Sequence, residues 1–423
     1  MSTNLIKIVS ADEFNDSQRP PVDAATLATA AEIVEAVRNE GETAIRKYTA
    51  QFSERTPDDP LTIAPDELAN AFNRIPKDDQ KLLQRVAGRI ETFANLQLES
   101  LSELTTTVPG GKAGHTIEPI RRAGCYAPGG RYPLPSSVLM TAVTARTAGC
   151  ESVVVASPNP TDITLAAAHV AGADAVLPFG GAHAIAAMAY GFSQCEKRDL
   201  IAGPGNRWVT AAKQLVVGSV GIDMLAGPSE LAIVANDQCD PQTVAADLLA
   251  QAEHDTDARP FLICFSNAFA AEVVAAIEKQ LGDLPTAETA QVSLGNGAII
   301  VADSIESAAD VCNQLAPEHL ELHIDDAESF SRMVQHAGCI FVGSRSAEVF
   351  GDYGAGPNHT LPTGGTARWS AGLNVFTFLR VRTWLQIESP PAELVQDTMR
   401  LAEHEGLIAH ARAAACRMPK NDS

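Results

Sequence analysis

Four short stretches hold residue types that together could bind a divalent metal ion and move protons. They are Gln251 to His254, Pro317 to His319, Gly351 to His359 and Glu405 to His410. Each sets an imidazole within a few residues of a carboxylate or a carboxamide. Neutral imidazole, carboxylate and carboxamide oxygen are the donors that suit Zn²⁺ or a similar divalent ion. A Glu–His pair beyond the ligands is then left for proton transfer, and an imidazole titrates near working pH. Taken singly, each pairing also fits an ordinary polar pair at the end of a helix or strand.

The elements around these residues decide whether they can meet. Asp240-Pro241 has the form of a helix start, with an N-cap aspartate and proline at the first helical position. Val244, Leu248 and Leu249 continue at helical spacing, so 241–254 is expected to be an amphipathic helix. Gln251 and His254 are then neighbours on one helix face. Residues 25–105 read as mostly helical, with a long helix from about Leu82. From about residue 115 strands and helices alternate. One set of apolar runs is 152–156, 175–177 and 200–202. A second is 231–235, 261–265, 298–302, 320–324 and 339–342. Repeated βα units imply parallel sheets with helices on both faces.

The fold class expected is therefore α/β: two Rossmann-like parallel-sheet domains, a helical N-terminal segment and a small helical C-terminal tail domain. No GxGxxG fingerprint opens a βαβ unit. The loops at Gly180-Gly181, Gly203 to Asn206 and Phe350 to Asp352 follow strands, where ligands of such sheets normally sit. Backbone exposed by glycine suits a phosphate, and it equally suits a plain turn. The domain expectation is an arm over 1–20, a discontinuous first domain over 21–122 and 231–371, a second over 123–230, and a tail over 372–423.

Composition narrows the class. At 423 residues the chain exceeds one usual core. A formal net charge of −21 leaves no basic face for nucleic-acid phosphates. No run of about 18 apolar residues predicts a membrane span, and the N-terminus lacks a signal pattern. The eight cysteines are scattered without a CxxC, which reads as reduced core residues in a cytoplasmic protein.

With these motifs in order, the chain resembles the histidinol dehydrogenase family from about residue 30 to 415. The resemblance rests on 126–131, 135–140, 203–206, 226–230, 251–254, 316–319, 356–368 and 405–410. It implies one zinc per chain on Gln251, His254, Asp352 and His410. It implies Glu318 and His319 as the catalytic pair, with substrate touching these six residues and Ser229, His359 and Glu405. It implies NAD near Tyr126, His183 and Asn206, where His183 stands at a position the family usually fills with glutamine. Two successive oxidations, alcohol to aldehyde to carboxylate, are implied. His319 would act as base for the hydroxyl, Glu318 would activate water for the second step, and zinc would chiefly anchor the substrate. A homodimer is implied too, each tail completing the partner's site. The 131–134 stretch is somewhat similar to relatives that oxidise sulfonated diols such as dihydroxypropanesulfonate, an alternative substrate class. Glu405, an acid suited to a cationic substrate, favours histidinol. A non-catalytic paralogue would tolerate loss of a ligand or of the Glu–His pair, and none is lost.

Overall fold

Runs such as Val153–Ala156 and Leu231–Ala235 have no polar alternation, so both of their faces need cover. The computed structural model, which describes residues 5–16, 22–129 and 132–419, supplies that cover with helices. A six-stranded parallel sheet runs in the order Lys7–Ser10, Ala298–Val301, Arg259–Cys264, Glu230–Ala235, His319–His323, Cys339–Val342. Helices Pro241–Ala252, Asn267–Leu281 and Ala287–Leu294 bury one face, and Ile305–Leu315 and Ala327–Met333 the other. A five-stranded parallel sheet has the order Ala175–Leu177, Ser152–Ala156, Arg122–Tyr126, Leu200–Ala202, Gly221–Ile222. The chain is thus α/β with parallel sheets, as its alternating pattern implies.

The N-terminal helices pack with the five-stranded sheet. Helices Ala24–Glu40 and Glu42–Gln51 lie on one face of the five-stranded sheet, and Pro65–Arg74 and Lys77–Glu99 on the other. None of them joins the core of the 231–371 sheet, because their buried stripes (Ile33, Val34 and Val37; Leu83, Val86 and Ile90) match the other unit. The arm instead adds Lys7–Ser10 to the six-stranded sheet.

The tail is not purely helical. Leu379–Ile387 is a nine-residue strand, antiparallel to Gly111–Pro119, which also pairs with Leu104–Val108. Its apolar residues at 379, 381, 385 and 387 alternate with Arg380, Arg382 and Gln386, the period-two signature of a half-covered strand. Beyond it, helices Ala392–His404 and Ile408–Ala415 pack on each other. No described helix is long and apolar enough to cross a membrane. Five cysteines are buried, Cys239 and Cys339 are half-buried, and Cys416 is exposed, an exception to the core reading.

Candidate active site

Helix Pro241–Ala252 starts where its cap residues indicate: the Asp240 side chain accepts from the Gln242 amide at 2.9 Å. Residues 247, 251 and 254 recur along one side of this helix, and His254 falls just past its end. Gln251 is fully buried, and neither its carboxamide oxygen nor its nitrogen has a hydrogen-bond partner. A buried amide without a partner costs about 1–3 kcal/mol, so something must complete it.

The strand His319–His323 presents His319, Glu321 and His323 on one face, while Leu320 and Leu322 enter the core on the other. Glu318 precedes this strand and Ser229 precedes the neighbouring strand. Ser229 Oγ donates to Glu318 Oε2 at 2.7 Å, and the Glu230 amide donates to the same oxygen at 2.9 Å. His319 Nδ1 meets the Glu230 carbonyl at 3.1 Å, and its Nε2 is unpartnered, 3.8 Å from Asp352 Oδ1. Burial holds the His319 imidazole down at about 3, below the working-pH range expected from its type, so the ring is neutral with Nε2 left unpartnered. Burial pushes the Glu318 carboxyl well above the carboxylate range, against the two hydrogen bonds it accepts.

Phe350–Asp352 is not a bare loop. It closes the short helix Glu348–Asp352. Asp352 Oδ2 stands 3.9 Å from His254 Nε2, and burial pushes its carboxyl up to about 6. Glu348, a residue the motifs did not single out, joins them: ligand atoms of His254, Glu348 and Asp352 all lie within 4.8 Å of one another. Its position four residues before Asp352, one helical turn, was the signal available. His359 Nδ1 meets the Asp352 carbonyl at 2.9 Å and its Nε2 faces Ser137 Oγ at 3.3 Å, tying this segment to the five-stranded unit. An ion pair braces the floor. Arg259 pairs with Glu230 Oε1 at 2.9 Å and with Asp16, while Glu230 Oε2 accepts from the Gly364 amide.

His410 and Glu405 are exposed on the C-terminal hairpin. His410 is not among the atoms gathered around His254 and Asp352. The residues expected near a dinucleotide lie at the carboxyl edge of the five-stranded sheet. Tyr126 ends a strand, and its hydroxyl accepts from the Gly181 amide at 3.1 Å. Gly203 follows the next strand at φ 127°, and a Cβ there would stand 2.0 Å from the Tyr126 carbonyl oxygen, so only glycine fits. Asn206 is exposed and caps helix Arg207–Val216 through its side-chain oxygen. His183 is turned inward. It is buried between Phe52 and Phe179, and its Nε2 meets Glu54 at 2.8 Å. The other Glu54 oxygen accepts from the Gly180 amide at 2.9 Å. Glu54 was not visible as a partner because 129 residues separate the two. Gly130 and Arg131 of the 126–131 motif lie outside the described residues.

The arrangement defines an α/β enzyme with a buried imidazole–carboxylate pair facing a cluster of further carboxylates and histidine. Comparison with known proteins names the kind. Residues 17–418 match the family described as Histidinol dehydrogenase. The chain is 43% identical over 395 residues to the histidinol dehydrogenase of Parasynechococcus marenigrum, covering 91% of this chain and 90% of that one. It is 41% identical over 414 residues to that of Neisseria meningitidis serogroup A, covering 96% and 95%. The crystal structure of histidinol dehydrogenase from Elizabethkingia anophelis superposes with a TM-score of 0.90 at 33% identity, covering 98% of both chains. The chain belongs to the histidinol dehydrogenase family, and it is an oxidoreductase of histidine biosynthesis. The sulfonated-diol alternative is not favoured, since these relatives all carry the histidinol dehydrogenase name.

Proposed function

We propose that the chain oxidises L-histidinol through L-histidinal to L-histidine, and that Gln251, His254, Asp352 and His410 hold one zinc ion. The observation that carries the metal assignment is Gln251, a fully buried carboxamide with no partner on the helix side that leads to His254. The buried carboxylates of Glu318, Glu348 and Asp352 also outnumber the cations beside them, and a divalent ion offsets that excess. When bound, zinc anchors the substrate and NAD, near Tyr126 and Asn206, accepts the electrons. His319 takes the hydroxyl proton on its free Nε2. Glu318 orients the water that adds to the aldehyde and takes its proton in the ionised form, which the Ser229 hydroxyl, the Glu230 amide and a cation offsetting the neighbouring carboxylates all favour. Ser229 and the Glu230 amide hold Glu318 in place, and His359 and Glu405 help to bind the substrate. His183 contributes by fixing the Gly180-Gly181 loop through Glu54, leaving only Nδ1 for any direct contact. Metal analysis of the purified protein should give about one firmly held ion at this site. A His254→Ala protein with unchanged metal content and full activity would refute the assignment.

We further propose a homodimer in which each tail completes the partner's site. Glu405 and His410 are exposed, and His410 is not among the atoms gathered around His254 and Asp352. The tail also leaves Val381, Leu385, Leu401, Leu407 and Ile408 uncovered, apolar surface that a second copy would bury. His254→Ala and His410→Ala chains, each inactive alone, should regain activity when subunits exchange. One site of the mixed dimer carries both lesions and the other carries neither, so up to half the sites recover. Proven exchange without recovery would mean that each tail serves its own chain.

A further inference from the structure

The two polar rows that meet at the active site continue inward. Along helix Pro241–Ala252 the row is His254, Gln251, Asp247, and along strand His319–His323 it is His319, Glu321, His323. Their inner ends form a second cluster, where ligand atoms of Asp247, Glu321 and His323 lie within 4.8 Å of one another. Glu321 is 0% and His323 2% exposed. His323 Nε2 and Glu321 Oε2 stand 3.2 Å apart, yet neither makes a hydrogen bond, and Asp247 Oδ2 is also without a partner.

We propose that Asp247, Glu321 and His323 form a second divalent-cation site, separate from the one at Gln251 and His254. Imidazole plus two carboxylates is a donor set for Zn²⁺ or Mn²⁺. With metal–ligand bonds of about 2.0–2.2 Å, two donors on one ion are ~3.0 Å apart in an octahedral edge and ~3.4 Å in a tetrahedral one. The 3.2 Å separation falls between these values. Asp247 is half-buried, so ions and completing waters reach the cluster from its side. Glu321 Oε1 accepts from the Glu348 amide at 2.6 Å, so an ion here also steadies the short helix that ends in Asp352. The inner ion would rivet the helix carrying Gln251 to the strand carrying His319.

The test is metal stoichiometry of the full-length protein. The protein is stripped with chelator, equilibrated with ZnCl₂ or MnCl₂, freed of loose ions by gel filtration and analysed by mass spectrometry. Wild type should hold about two ions per chain. His323→Gln and His254→Ala should each hold about one, and the double variant none. If His323→Gln does not fold, Asp247→Asn, on the half-buried side, makes the same reading. One ion in wild type with none in His254→Ala would overturn the second site and leave the first intact. Two ions retained by both His323→Gln and Asp247→Asn would overturn it equally.

Discussion

Replacing His319 with alanine should slow both oxidations by roughly 100- to 10,000-fold, the usual worth of a general base. The expectation rests on the ring's setting. Its Nδ1 is fixed by the Glu230 carbonyl, burial keeps it neutral, and its Nε2 is left unpartnered beside Asp352. Replacing Glu318 with glutamine should divide the two steps. A glutamine keeps a carbonyl oxygen for the Ser229 hydroxyl and the Glu230 amide, but it cannot take a proton from water. Alcohol oxidation should be spared more than aldehyde oxidation. Histidinol and histidinal assayed separately decide the matter. Equal losses on both substrates would contradict the division of labour, and a His319→Ala enzyme within tenfold of wild type would remove His319 from the role of base.

The second large effect should come from Lys213→Met. Lys213 and Asp223 are a buried ion pair, with side chains 2% and 0% exposed. The lysine also donates to the Gly203 carbonyl at 2.8 Å, while Asp223 accepts from the Gly203 amide at 2.7 Å and from the Met224 amide at 2.6 Å. The pair therefore grips both sides of the residue that opens the Gly203–Asn206 loop. Removing only the cation leaves a buried carboxylate uncompensated, at a cost of about 3–5 kcal/mol. Chemical denaturation should show that loss, and Asp223→Asn in the same chain should restore part of it. Because the loop is assigned to the dinucleotide, KM for NAD should rise more than KM for histidinol. A loss under about 1 kcal/mol would mean that water reaches the pair and that it is no anchor.

Local signals in the chain were informative wherever one element sufficed. The cap at Asp240, the strands at 152–156, 175–177, 200–202 and 339–342, and the pairing of Gln251 with His254 follow from caps and periodicity. The alternation of 379–387 was equally legible but was outweighed by the helical segments around it. What sequence could not supply was the meeting of distant residues. Glu54 with His183, Arg259 with Asp16, and Asp247 with Glu321 and His323 are joined only by the packing of helices on sheets. The placement of the N-terminal helices on the five-stranded unit was hidden too, because an amphipathic stripe does not state which core it will enter.

The proposed acid–base pair and Ser229 sit where strands of the six-stranded sheet begin, whereas the loops proposed for the dinucleotide sit where strands of the five-stranded sheet end. Two oxidations need two fresh dinucleotides, and the aldehyde between them is reactive. In the proposed function each reactant is held by a different sheet, so one could be exchanged while the other stays in custody. On the proposed function the spent carrier would leave from one edge while the half-finished product stayed at the other.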